Sequence, residues 1–332
     1  MKILVAVPGR LRTVPMSRFV PEAAAALGHQ VSVADYSLAL AEKLKSRLLR
    51  KRSAGDAVAP RLLQAIEEAR PQLFLTLYGA NVNAQVFAEL RKRGVVTANW
   101  WLNDPFQFER GAKILPGYDF AFTNARYSVE AYAALGLKNV HFLPTACEPA
   151  VHRPLSGRAS LCDISFAGDW SAMREQLVDA LLHAGLDVRV FGPWRRKLAK
   201  HSAVRARLEH GFFSPQRMAE IFAACKATLN IHTWRGRFDH GLNPRVFEAA
   251  ACGVPQLVDY KKELDEIFDP AQRAGMLIYR DDGELLRLAR KATEDAVELR
   301  GRALAASASF QRDHSYRARI TELLRVVGGA AA

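Results

Sequence analysis

The stretch DHGLNPRVFEAAACGVPQLVD, residues 239–259, sets the reading of the chain. Gly241 and Leu242 lead into Asn243, a good N-cap, and Pro244 follows at the first helical position, where its missing amide hydrogen costs nothing. A helix therefore starts here, runs through Arg245, Val246, Phe247, Glu248 and three alanines, and stops at Cys252 and Gly253. Residues 254–258 then have the composition of a short, fully buried strand. The unpaired amides and the dipole of a helix N-terminus favour anions, so the loop 240–244 is a candidate phosphate cradle, to which Arg245 adds a charge-assisted contact. Glu248 lies three residues on, on the same face as Arg245. The same residues also fit an ordinary capped helix with an internal Arg-Glu pair.

On both sides of this stretch, short apolar runs alternate with amphipathic segments. Strands are predicted at residues 2–7, 30–34, 73–77, 95–101, 118–123 and 139–143, then at 162–167, 188–191 and 228–232. Helices are predicted between them, among them 18–27, 61–70 and 173–183, and the chain is expected to finish with helices 285–307 and 311–326. This rhythm is that of parallel sheets covered on both faces, a Rossmann-type α/β architecture. A length of 332 residues suits two such domains of about 150 residues each. The segment PTACEPAVHRP, residues 144–154, has turn residues and no periodicity and reads as the linker, with Glu148 and His152 in the neighbourhood of a cleft.

The net charge of +13 calls for an anionic partner: nucleic acid, an anionic membrane surface, an acidic glycan or a nucleoside diphosphate. The basic segment LAEKLKSRLLRKR, residues 40–52, places leucines at 40, 44 and 48 on one stripe of a helix. Its cations suit anionic lipid or an acidic acceptor glycan, and suit equally a solvated face over a buried leucine stripe. Cys147, Cys162, Cys225 and Cys252 show no C-x-x-C spacing and read as reduced core residues of a cytoplasmic protein. No run of eighteen apolar residues occurs, so no span is expected, and membrane contact would be peripheral, at the inner face, through the basic helix.

The first strand-to-helix turn lacks G-x-G-x-x-G, which removes a dinucleotide cofactor. Walker A, G-x-S-x-G and H-E-x-x-H sequences are absent, and the nine histidines are dispersed without metal-ligand spacing. What remains is a diphosphate-binding reading that needs neither metal nor cofactor. In open α/β sheets ligands gather at the C-terminal ends of the strands, where Trp100-Trp101-Leu102-Asn103-Asp104-Pro105-Phe106 is expected. Asp104 is accordingly a candidate general base or sugar-hydroxyl ligand, or else an Asx-turn residue before proline. Trp194 reads as a surface-anchored aromatic or a platform for a base. Asp281 and Asp282 read as helix-capping acids rather than a metal-binding pair.

The wording N-P-R-x-F-E-A-x-A-C-G-x-P followed by a strand resembles the C-terminal signature of GT-B glycosyltransferases, and is most similar to the CgeB-like (spore maturation protein B) branch. The segment Trp101-Leu102-Asn103-Asp104-Pro105 is similar to the W-x-x-D-x-P segment that CgeB-like proteins commonly carry. The resemblance implies two Rossmann-like domains facing each other across a cleft: residues 1–153 on the acceptor side, 154–312 binding the nucleotide sugar, and a last helix, 313–332, packing back on the first domain. It implies that Glu248 holds the ribose hydroxyls, and that Gly241, Leu242, Asn243 and Arg245 face the diphosphate. Glu248 takes the place of the second glutamate in the E-x7-E pattern of family 4 relatives; His240 stands where the first would be and joins Asp104 as a catalytic candidate. Gly168 and Arg174 occupy the positions of the glycine and the diphosphate-binding lysine of those relatives, and Asp169, in place of an arginine, is read as a helix cap. Phe212 and Phe213 lie where the nucleotide base is commonly held. The reaction implied is metal-independent sugar transfer from a nucleoside-diphosphate sugar to a glycan, lipid-linked or protein acceptor. A sugar-nucleotide epimerase of the same architecture is the alternative. A basic nucleic-acid-binding module is a third, although no RRM, KH or helix-turn-helix signature supports it and no nucleic-acid partner is expected.

Overall fold

Each apolar run that forms a strand pairs in parallel with another, and the pairs assemble into two sheets of six strands. The computed structural model describes residues 1–9, 15–37, 54–79, 81–157 and 160–329; the basic segment 40–52 lies outside the described residues. The chain divides into two units, Met1–Pro144 with Tyr316–Ala332, and Thr145–Ser315.

In the first unit the strands β1 (Lys2–Val7), β2 (Gln30–Asp35), β3 (Leu73–Leu77), β4 (Val96–Trp101), β5 (Phe120–Thr123) and β6 (Val140–Phe142) stand in the order β2-β1-β3-β4-β5-β6. All of β3 and five of the six residues of β1 and of β4 are buried, which is why these strands read as continuous apolar runs rather than alternating ones. Helices α1 (Met16–Ala26), α2 (Ala54–Ala69), α3 (Ala84–Lys92), α4 (Phe108–Ile114) and α5 (Arg126–Ala134) connect them.

The second unit holds β7 (Cys162–Ala167), β8 (Val188–Gly192), β9 (Leu208–His210), β10 (Cys225–Asn230), β11 (Gln256–Asp259) and β12 (Met276–Tyr279), in the order β12-β11-β10-β7-β8-β9. Its helices are α6 (Ala172–His183), α7 (Ala203–Ala206), α8 (Pro215–Ala223), α9 (Pro244–Ala251), α10 (Glu263–Ile267), α11 (Asp282–Glu294) and α12 (Ala296–Asp313). The strand order reverses between β7 and β10. In a doubly wound sheet that is where the outgoing loops part and leave a crevice at the C-terminal ends.

The last helix, α13 (Tyr316–Gly329), belongs to the first unit. Tyr316 sets its ring 5.5 Å from Phe19 of α1 and 6.4 Å from Trp100 of β4, and Arg319 Nε donates to Pro144 O at 3.1 Å.

Several boundaries differ from the sequence reading. The single helix expected over 285–307 is two, meeting at Asp295, which ends α11 and precedes α12. The terminal helix begins at Tyr316 rather than 311, because α12 continues to Asp313. Strand β10 starts at Cys225 rather than 228, and Cys225 and Cys162 are register partners across two buried strands.

Two polar arrangements tie strand ends and turns of the second unit together. Arg300 of α12 donates to the carbonyls of Gly253 (3.1 Å), Phe222 (3.2 Å) and Cys225, tying together the turn after α9, the end of α8 and the start of β10. At the end of β8, a Cβ on Gly192 would collide with Gly168 O and meet the Trp194 ring at 2.9 Å. Glycine is required there by close approach rather than by backbone dihedral. Trp194 is fully buried and donates to Gly168 O at 2.8 Å. This corrects the reading of Trp194 as a surface aromatic: its indole is core, and its N–H serves the loop after β7. Among the described residues no helix is long and apolar enough to cross a membrane.

Candidate functional site

The N-terminus of α9 forms as its sequence dictates. Asn243 is extended and accepts the Val246 amide at 3.3 Å, and Pro244 occupies the first helical position. Asn243 is itself steadied by Asn230 at the end of β10, the two amides exchanging hydrogen bonds of 2.8 and 3.3 Å. Gly241 sits at φ +80°, in the left-handed region, and its amide donates to Glu263 Oε1 at 2.8 Å. One amide of the loop therefore already meets a fully buried carboxylate. Leu242 is also fully buried and packs with Val246 and Phe247, so its side chain anchors the loop and only its backbone can face a ligand.

On the first turn Arg245 Nη1 meets Glu248 Oε2 at 2.6 Å, and the arginine lies over the Phe222 ring, 5.6 Å from its centroid. Glu248 is only 6% exposed. His152, from the segment after the first unit, is buried close to this pair. Burial pushes its imidazole below the usual 6.5, with the Glu248 charge opposing and the Arg245 charge reinforcing that shift. Its Nδ1 accepts the Glu148 amide at 2.9 Å.

Arg174 crosses the switch point between β7 and β10. Ser171, not Asp169, caps α6, accepting the Arg174 amide at 3.2 Å, which corrects the capping role read for Asp169. The guanidinium donates to Asp169 O at 3.0 Å, Ile231 O at 2.7 Å and Thr233 Oγ1 at 3.1 Å, and stacks 5.5 Å from the Phe166 centroid. Among the described residues no carboxylate is in salt-bridge contact with it, and its Nε is buried without a hydrogen-bond partner. Burial lowers its pKa, against the raising fields of Asp169 and Asp259, and nearby Arg245 lowers it further. Two cations, Arg174 and Arg245, are thus within reach of each other's field at the C-terminal ends of β7 and β10. Gly168 lies beside them, its would-be Cβ position 3.7 Å from Arg174 Nη1.

The first unit places Asp104 at the end of β4, but under cover. Its carboxylate is fully buried and accepts from Trp101 Nε1 at 3.2 Å, Tyr132 Oη at 3.1 Å and Thr123 Oγ1 at 2.6 Å. Asn124 brackets its backbone on both sides, at 3.1 and 2.9 Å. This arrangement fixes the loop after β4 and leaves the carboxylate no surface open to a substrate. Phe213 is half-buried against Phe191, 5.8 Å between centroids, whereas Phe212 is 55% exposed and free to meet a planar ligand. His240 lines a cavity of about 460 Å³, with Nδ1 3.4 Å from Asp239 Oδ1.

Three residues that the sequence reading passed over belong to the same end of the sheet. Asp259 Oδ1 accepts both the amide and Nδ1 of His232, each at 2.8 Å, and Oδ2 accepts from Lys261 Nζ at 2.6 Å. All three are at most 2% exposed. Burial acts to raise the Asp259 carboxyl, yet His232 and Lys261 hold it well below the usual carboxylate range. Burial likewise keeps His232 below 6.5, so the neutral ring donates through Nδ1. The available signal was positional: polar residues at or just past the C-terminal ends of two adjacent buried parallel strands. Among the described residues no group of three or more His, Cys, Asp or Glu could hold a metal ion.

Residues 173–325 match the family model described as glycosyl transferase-like. No curated protein matches the chain. Among solved structures, the sucrose-phosphate synthase of Thermosynechococcus elongatus superposes with a TM-score of 0.69 at 13% identity, covering 99% of this chain and 100% of that one. Anabaena Alr3699/HepE in complex with UDP gives 0.64 at 13% identity, over 99% and 100%. A UDP-N-acetylglucosamine 2-epimerase gives 0.58 at 12% identity, over 99% and 97%. The chain is thus a protein of GT-B fold, with a glycosyl transferase-like region over residues 173–325.

Proposed function

We propose that this chain is a metal-independent glycosyltransferase that takes its sugar from a nucleoside-diphosphate sugar. The observation that carries the reading is Arg174: a buried guanidinium with no carboxylate partner among the described residues, at the switch point of the second sheet and within the field of Arg245. A departing diphosphate gains charge as the glycosidic bond breaks, and fixed cations with a helix N-terminus stabilise it without reorganising. Arg174 and Arg245 supply that charge, the α9 N-terminus with Asn243 supplies oriented amides, and Glu248 accepts the ribose hydroxyls once Arg245 turns to the phosphate. His240, on the cavity, is the titratable group assigned to the reacting sugar. Asp104 is assigned to positioning the loop after β4 rather than to proton transfer. Phe212 is the assigned base contact. UDP in the HepE structure and UDP-glucose in a second HepE complex support a uridine nucleotide as the first donor to try. The N-P-R-x-F-E-A-x-A-C-G-x-P wording supports the CgeB-like branch, and a glycan, lipid-linked or protein acceptor met in the cytoplasm is part of the same proposal.

Thermal unfolding with UDP, GDP, dTDP, CMP, ADP and NAD, repeated on Arg245→Ala, tests it. A ligand that binds only the folded state at a hundredfold excess over its Kd stabilises by about 2.7 kcal/mol. Stabilisation by one nucleoside diphosphate that disappears in Arg245→Ala is expected, and no response to any nucleotide would defeat the proposal. The likeness to a UDP-N-acetylglucosamine 2-epimerase favours a second reading, a sugar-nucleotide epimerase. That enzyme would convert the nucleotide sugar with no acceptor present, whereas the transferase requires one.

A further inference from the structure

The cysteines that begin β7 and β10 face each other, and the proposed reaction uses neither. Cys162 and Cys225 are register partners on neighbouring parallel strands, and their sulfurs stand 3.2 Å apart. Neighbouring strands run about 4.8 Å apart, inside the Cα separation of about 4.4–6.8 Å that a disulfide spans. With a bond of about 2.05 Å as the end point, the sulfurs have only about 1.2 Å left to close. The backbone beneath them is fixed. Arg300 binds the Cys225 carbonyl, and the next residues along, Asp163 and Lys226, join on the opposite face at 2.7 Å. Both thiols are 3% exposed, yet they lie at the rim of the sheet beside the exposed Ser160 and Lys226, within reach of a molecule as small as a peroxide. The pair is also polarised. The hydrogen bond from Cys162 lowers the Cys225 pKa, against burial and with help from the Arg300 charge, whereas that bond and burial raise Cys162. Cys225 is therefore the sulfur that ionises first, and its thiolate is the nucleophile.

We infer that Cys162 and Cys225 form a reversible dithiol/disulfide couple, closed by a hydroperoxide and reopened by a dithiol, that staples β7 to β10. The Cys225 thiolate attacks one peroxide oxygen, forming an S–O bond as the O–O bond breaks, and the departing oxygen takes up the proton that Cys225 gave. The Cys162 sulfur then attacks the sulfenic sulfur of Cys225. The S–S bond forms, the S–O bond breaks, and the released hydroxide leaves as water with the Cys162 proton. Two electrons pass from the thiols to the peroxide. Because α6, β8, α7, β9 and α8 all lie between the two cysteines in sequence, the bond joins the entry and exit of the whole β7 flank of the sheet. It restricts the unfolded chain, so the closed protein melts at a higher temperature than the reduced one. The couple lies at the N-terminal ends of its strands, away from Arg174 and the start of α9, and does not depend on nucleotide binding there.

Treating the full chain, reduced and freed of reductant, with a small excess of hydrogen peroxide under native conditions tests the inference. Thiols titrated afterwards in denaturant should fall from four to two, and the intact mass should fall by two hydrogens. Peptide mapping should place the new bond between Cys162 and Cys225, and dithiothreitol should restore all four thiols and the lower melting temperature. The double variant Cys147→Ala, Cys252→Ala should still close, whereas Cys162→Ala should stop at a Cys225 sulfenic acid that dimedone traps. Mapping on the unsubstituted chain decides the matter even where a variant fails to fold. Four thiols persisting, a bond mapped to any other cysteine, closure only once urea has opened the fold, or a closed chain that melts no higher would each overturn the inference, whatever the nucleotide screen gives.

Discussion

Arg245 and Glu248 meet at 2.6 Å on the first turn of α9, the arginine a quarter exposed and the glutamate almost wholly buried. The pair is asymmetric. Removing Glu248 leaves an arginine that can turn to solvent, whereas removing Arg245 strands a carboxylate in a poorly solvated place. Arg245→Ala should therefore destabilise more than Glu248→Ala, by about 1–2 kcal/mol, and the double substitution should cost less than the sum of the two. Urea unfolding of the three variants measures this; strictly additive losses would mean that the pair does not act as a unit. For nucleotide affinity the order should differ, with both single variants losing about tenfold or more, because one meets the diphosphate and the other the ribose.

His232 and His152 give the protein a defined acid side. Burial holds both imidazoles below their usual 6.5, so the folded chain keeps them neutral while the unfolded chain takes up protons below that value. Their stabilisation is complete above 6.5 and is lost as pH falls from there through the lowered folded values. Asp259, also depressed, acts in the same direction but only below the ordinary carboxylate range of about 4. Thermal stability should thus decline between about pH 7 and pH 5, before any carboxylate contributes. His232→Asn keeps a donor for Asp259 and removes one titration, so it should flatten the decline by up to about 1.4 kcal/mol per pH unit. A wild-type profile flat over that range, or one that His232→Asn leaves unaltered, would remove His232 from the account.

The fold was legible because its strands are buried on both faces: runs such as Leu73–Leu77 contain no alternation to misread. The α9 start was legible too, since Asn243 and Pro244 act through local geometry. What sequence could not yield were partnerships across long separations. Glu263 reaching the Gly241 amide, Arg300 binding three carbonyls, and His232 meeting Asp259 all depend on which strands and helices become neighbours. Trp194 shows the same limit from the other side. Its flanking Pro193 and basic run suggest a surface, yet the close approach of Gly192 to Gly168 draws its ring into the core.

Asp104 separates a positional argument from a physical one. It lies at the C-terminal end of a central strand, where a catalytic carboxylate is sought, but three donors, Trp101, Thr123 and Tyr132, spend its oxygens in a buried setting. Asp104→Ala strands those donors without an acceptor and should cost about 2–4 kcal/mol, read by urea unfolding. Asp104→Asn retains an oxygen for Trp101 and Tyr132, and Thr123 can rotate its hydroxyl to accept from the new amide, so most of that stability should return. The Asn variant decides between the roles, since it keeps the shape and abolishes any proton acceptor. If Asp104 only positions the loop, Asp104→Asn should hold turnover within about tenfold of wild type once donor and acceptor are identified. A folded Asp104→Asn protein with turnover reduced by a factor of about a thousand would instead make it the base, with the loop after β4 opening to expose it.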